Sequence, residues 1–206
     1  MKHIIKVIAA IALLISTSSC SKDDKGTIII QDHDESQMMA LKHQMMDKMM
    51  TMEMTKDPDN DFAMMMRTHH LGAIDMANLE LKNGKDEQLK AMAQTIIETQ
   101  QAEITQLDAF LQTHSPHLNN PEFDQMIMTV MEKSSKESDL QVINGDTDHD
   151  FAILMIQHHQ SAIENSRLVL LDGHEESMKQ MAVKIIDEQE KEISELQDWL
   201  LARGHK

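Results

Sequence analysis

The sequence predicts an all-α protein, a four-helix bundle assembled from two copies of one helical hairpin. Three observations carry this expectation. First, four Phe, one Trp and no Tyr accompany 20 Met among the 206 residues, with many Leu, Ala, Gln, Glu and Lys. Strands therefore lack their preferred residues and helices have most of theirs. Second, Asp61 to Leu111 aligns without a gap with Asp150 to Leu200, and self-similarity of this length marks a duplicated structural unit. Third, apolar residues in each copy recur at alternating steps of four and three, the spacing of one helix face.

From the N-terminus, residues 1–19 read as a secretory leader. Lys2 and Lys6 give a basic start, Ile8 to Ile15 an apolar run, and Ser16 to Ser19 the small residues before Cys20. The run is too short to span a bilayer. The pattern resembles a bacterial lipoprotein signal, which implies lipidation of Cys20 and a membrane anchor at the new N-terminus. Residues 20–34 then read as a flexible tether. The expected location is the cell envelope, anchored in the outer membrane and facing the periplasm or the surface. Cys20 is the single cysteine, so once it is lipidated any soft metal ligand must be Met or His.

A bundle is expected over 35–206. Its first element, within Glu35 to Thr55, carries Met38, Met39, Met45, Met46, Met49, Met50, Met52 and Met54, with His43 among them. As a helix, Met38, Leu41, Met45, Met49 and Met52 form one stripe. The first hairpin (about 59–112) pairs a helix with Phe62, Met66, His69, Ala73 and Met76 on one face with a second bearing Leu89, Ala93, Ile96, Gln100, Glu103, Leu107 and Phe110. Gly84 marks the turn between them. Residues 114–121 form a linker and Glu122 to Glu137 a short helix, before the second hairpin (about 148–201) repeats the pattern. A short loop makes each pair of helices antiparallel, and two pairs close a bundle with the repeated faces inward.

The candidate chemistry lies on those faces. Met66, His69 and His70, repeated as Met155, His158 and His159, place a thioether one turn from two imidazoles. That donor set selects copper, above all Cu(I), over hard cations. Gln100 and Glu103, repeated as Gln189 and Glu192, are polar residues in apolar seams, suited to orient the imidazoles or to bind metal themselves. His43, Met45, Met46, Met49 and Met50 form an auxiliary candidate site. Zinc, silver and iron remain alternatives to copper. Hydrogen bonding of the imidazoles for structure alone is the competing reading. Asp57, Asp59 and Asp61, with Asp146, Asp148 and Asp150, lack the glycine and distal glutamate of an EF-hand and read as helix caps. His114, His117, His149, His174 and His205 carry no pattern.

The segment from Asp61 to Ala77 and its copy from Asp150 to Ser166, each followed by a Gln-x-x-Glu-Ile helix, resemble the family called domain of unknown function 305 (DUF305). The resemblance covers roughly Glu35 to His205. It implies a ferritin-like bundle, and copper binding as in those family members that are periplasmic copper-resistance proteins. Thr68 and Gln157 stand where the family often has Pro, and Asn165 replaces Met76 in the second copy.

Several functions are disfavoured. A formal net charge of −16 argues against a nucleic-acid surface. The Glu-x-x-His motif of di-iron oxidases is missing from both copies, as are a nucleophile elbow and a phosphate-binding glycine loop. The expectation is a non-enzymatic protein that sequesters copper or passes it to a partner protein. A ferritin-like oxidase and a metal-free structural bundle are the rivals.

Overall fold

The computed structural model describes residues 30–204. Every regular element among them is helical: α1 (Gln37–Met50), α2 (Pro58–Asn83), α3 (Glu87–Thr113), α4 (Pro121–Asp139), α5 (Thr147–Asp172) and α6 (Glu176–Gly204), preceded by a 3-10 turn at His33–Glu35. The expected signal, the lipidated Cys20 and most of the tether lie outside the described residues. Its last few residues are docked: the Gln31 N–H donates to the Ile143 carbonyl at 2.7 Å, and His33 Nε2 pairs with the Gln141 carbonyl at 2.9 Å. No helix among the described residues is long and apolar enough to cross a membrane.

Helix starts follow local chemistry. Ser36, Asp57, Asp86, Asn120 and Asp146 cap α1 to α5 by accepting backbone N–H groups of the first turn, and Pro58 and Pro121 open α2 and α4 at positions where a missing N–H costs nothing. Gly84 and Gly173 end α2 and α5 with ordinary φ of −64° and −69°. They are glycines because of space: a Cβ on Gly84 would lie 2.6 Å from the Glu80 carbonyl oxygen, and one on Gly173 2.6 Å from that of Val169.

The core is built on the antiparallel pair α2 and α5. Each packs against its hairpin partner, α3 or α6, and against the helix that precedes it, α1 or α4, and α1 also touches α4. The structural repeat is thus a three-helix unit. α3 and α6 leave a groove between them, lined by Met92, Thr95, Thr99, Glu188, Lys191, Glu192 and Glu195.

Two buried apolar clusters fill the interior. One joins Met38, Met39, Met76 and Met92 to Phe151 and Met155, and the other joins Met45, Met46, Met49, Phe62, Met65 and Met66 to Phe123 and Met131. Full burial of side chains of this size contributes about 1.5–3 kcal/mol each.

The aspartates expected only as caps also interlock the halves. Asp59 at the start of α2 accepts the N–H groups of His174 and Glu175 before α6, at 2.9 and 3.1 Å. Asp148 at the start of α5 accepts those of Lys85 and Asp86 before α3, at 2.8 and 3.0 Å. Each half thereby satisfies orphan donors of the other.

Candidate metal site

Phe62, Met66, His69, Ala73 and Met76 are buried along α2, as the four-and-three spacing predicts, and on α3 Gln100 and Glu103 face them. What periodicity does not contain is the pairing of the two copies. Because α2 and α5 cross antiparallel at their midpoints, His69 stacks on its own repeat counterpart His158, with ring centroids 3.6 Å apart and planes inclined by 27°. His70 and His159 lie beside this pair, with centroid separations of 6.4 Å from His69 and 6.0 Å from His158 respectively. The four histidines form one buried layer.

Their hydrogen bonding is incomplete. His69 Nε2 pairs with Ser161 Oγ at 2.8 Å, and that hydroxyl donates to the His158 carbonyl at 2.8 Å. His70 Nε2 lies 2.9 Å from Glu103 Oε2, and His159 Nε2 2.9 Å from Glu192 Oε2. Each contact pairs one nitrogen of an outer ring with a carboxylate and leaves the Nδ1 of that ring without a partner. Nδ1 of His69 and both ring nitrogens of His158 have no protein partner, nor has the Gln100 amide. Buried nitrogens left in this way cost about 1–3 kcal/mol each. A purely structural polar layer would pair them.

The electrostatics keep lone pairs available. Burial, followed by the nearby positive charge of Lys42, holds the His69 imidazole well below its ordinary pKa. Burial, then His69 and Lys42, does the same for His158. Both rings are therefore neutral near pH 7, the form that ligates metal. Burial pushes Glu103 up, but His70 and Lys184 outweigh it and hold the carboxyl below its usual range.

Lys42 is the residue the sequence missed. It takes the place in the α1 stripe that the periodicity gave to Leu41, giving Met38, Lys42, Met45 and Met49 inward and leaving Leu41 half-buried. Its ammonium donates to Ser134 Oγ at 3.4 Å, and burial lowers its pKa to about 8, with Glu137 acting in the opposite direction.

The methionines divide between the clusters. Met45, Met46 and Met49 share one with Met66, whereas Met155 lies in the other. Met45 packs against Gly72, where a Cβ would collide with its Sδ. His43 and Met50, expected beside these thioethers, are turned outward: His43 pairs with Asp139 at 2.8 Å and Met50 is exposed. Gln189 is buried with its Oε1 unpartnered, and half-buried Glu192 reaches the layer through His159. His114 and His117, without pattern in the sequence, come together with Asp57 at one end of the bundle.

Fold and site together define an all-α protein of duplicated three-helix design, with imidazoles layered between methionine-rich cores. The DUF305 family model, described as a domain of unknown function, matches residues 13–111 and 59–200. The chain belongs to the DUF305 family. No curated protein matches it. Among solved structures, CopM in its Ag-bound form is 26% identical, with a TM-score of 0.54 over 70% of this chain and 96% of CopM. CopM in its Cu(II)-bound form is 26% identical, with a TM-score of 0.52 over 68% and 95%. A DUF305 protein from Streptomyces coelicolor, 21% identical, shares the fold with a TM-score of 0.58 over 73% of this chain and 96% of its own.

Proposed function

We propose that this protein binds copper in the cell envelope, as Cu(I), and sequesters or delivers it without catalytic turnover. The observation that carries the reading is His158, wholly buried with both ring nitrogens unpartnered and stacked on His69. Neutral imidazole and thioether are the donors that Cu(I) prefers. His69, His70, His158 and His159 would hold the ion, with thioethers drawn from Met66, Met155 and the α1 tract. Glu103 and Glu192 would orient the outer imidazoles. The CopM structures with silver and Cu(II), at 26% identity, support handling of copper or a copper-like ion.

The resemblance of residues 1–20 to a lipoprotein signal supports an anchored protein on the envelope side of the membrane. A partner that supplies or accepts the ion fits a site with this little access. Lys42 opposes loading, because a buried ammonium repels a second cation. Metal entry would therefore be coupled to loss of its proton or to its displacement.

The experiment is titration with Cu(I) against a competing chelator, beside Zn(II) and Fe(II). Tight Cu(I) uptake, weakened by joint replacement of Met66, His69 and His70, supports the reading. Uptake no stronger than the chelator's would return the layer to a structural role, and preference for Fe(II) would favour the oxidase class.

A further inference from the structure

At one end of the bundle three connections converge. Asp57 caps α2, His114 ends α3, His117 follows in the loop to α4, and Glu175 precedes α6. One ligand atom from each of Asp57, His114 and His117 lies within 4.8 Å of the other two. None belongs to the histidine layer.

The local hydrogen bonds fix the chemistry of His114. Asn60 Nδ2 donates to the His114 carbonyl at 3.1 Å, which turns Asn60 Oδ1 toward the imidazole, 2.8 Å from Nδ1. An amide oxygen only accepts, so Nδ1 carries a proton, and in the neutral ring Nε2 offers its lone pair. Nε2 faces Glu175 Oε1 at 3.3 Å. Either a proton or a metal ion must lie between these two atoms. Phe110, stacked on His114 at 4.6 Å and 17°, holds the ring in this orientation, and Asp59 holds the backbone of Glu175. On the other side, His117 Nδ1 is 3.4 Å from Asp57 Oδ2. The same Oδ2 accepts the backbone N–H groups of His117 and Leu118 at 2.9 and 3.0 Å, which fixes the carboxylate in place.

The opposite end of the molecule supplies an internal control. The repeat places Asp146 at Asp57, Trp199 at Phe110 and Arg203 at His114. There Arg203 stacks on Trp199 at 4.4 Å and reaches Asp146 and Asp148 at 3.8 and 3.9 Å. That end carries a built-in cation where this end offers imidazole lone pairs to the same acidic frame.

We infer that Asp57, His114 and His117, with Glu175 beside His114, form a surface site for a borderline divalent cation of the zinc or Cu(II) class. Two imidazoles with carboxylate oxygen suit such ions, whose ligand bonds of about 2.0–2.2 Å are reached by small movements of the exposed His117 and Glu175 side chains. A bound ion would clamp the connections before α2, after α3 and before α6. The site is independent of the copper reading.

The test is calorimetric titration of the protein with Zn(II), with thermal melts alongside, for the wild type, His117→Ala and Glu175→Gln. Both residues lie at the surface, so the variants keep the fold. The wild type should bind Zn(II) and gain Tm from it. Each variant should bind more than about tenfold more weakly, the loss that outer-sphere partners alone can cause, and keep wild-type Cu(I) uptake. His69→Ala with His158→Ala should keep this Zn(II) binding, so that failure of the copper reading and failure of this site are told apart. Zn(II) affinity equal in the wild type and both variants, or absent from the wild type, would overturn the inference and leave His114 and Glu175 bridged by a proton.

Discussion

The half made of α1 to α3 and the half made of α4 to α6 share one backbone plan, yet the helices that lead them in differ sharply. At the repeat offset, Met45, Met46, Met49 and Met50 of α1 correspond to Ser134, Ser135, Ser138 and Asp139 of α4, and Lys42 corresponds to Met131. The hairpins kept their histidines while the leading helices went separate ways, one toward thioethers and the other toward hydroxyls. The symmetric part of the molecule thus supplies the imidazole layer. The asymmetric part draws most of its buried thioethers from α1, with Met131 alone from α4, together with a buried ammonium held by the serine-bearing helix.

This comparison can be broken by making one half resemble the other. Met49→Ser, which copies Ser138, should cost the most, about 2–5 kcal/mol for a large buried side chain lost from the core, read by urea unfolding. The reverse change, Ser138→Met, should overpack and cost about 1–3 kcal/mol. Lys42→Met, which copies Met131, should stabilise by about 1–4 kcal/mol, as replacement of buried charge by fitting apolar groups often does. It should also tighten Cu(I) binding in the chelator titration. Loss of stability in that variant would mean that the Lys42 to Ser134 contact matters more than the burial it requires.

Smaller and nearly equal losses, about 1–3 kcal/mol each, are expected for Asp59→Ala and Asp148→Ala, because each accepts two backbone N–H groups just before a helix of the opposite half. Unequal losses in chemical denaturation would show that the interlock is not reciprocal.

The pH dependence should also divide the halves. His69 and His158 are neutral when folded but gain protons when unfolded, so stability should fall as pH drops below about 6.5, their ordinary value. Glu80 acts in the opposite sense. Burial, then Asp148, raises its pKa from 4.5 to about 8, so its contribution is complete below 4.5 and is lost as pH rises toward 8. Its counterpart is Val169. Melts of Glu80→Gln across this range should lose the alkaline decline and keep the acidic one.

Much of this architecture is legible in the sequence because helix faces are periodic. The buried positions of α2 and α3, the turn at Gly84 and the extent of α4 follow from spacing and caps. What spacing cannot reveal is which faces meet. Nothing local in His69 or His158 says that they stack on one another, since that depends on where two antiparallel helices cross. Lys42 and Leu41 differ by one step around α1, and only packing against α4 decides that the charged residue goes inward. His43 turns outward for the same reason. His114 and His117 had no pattern because their partners, Asp57 and Glu175, arrive from two other connections. Gly84 was legible as a boundary but for a different cause, since its backbone is ordinary and the carbonyl of Glu80 is what excludes a side chain.

The claim that most needs testing is that the two copies make one metal site and not two. It is tested by Cu(I) capacity and affinity in His69→Ala, His158→Ala and the double variant, treated as a double-mutant cycle. A shared layer predicts that either single replacement removes nearly all tight binding and that the double adds little. Half the capacity surviving in each single variant, with complete loss only in the double, would contradict it.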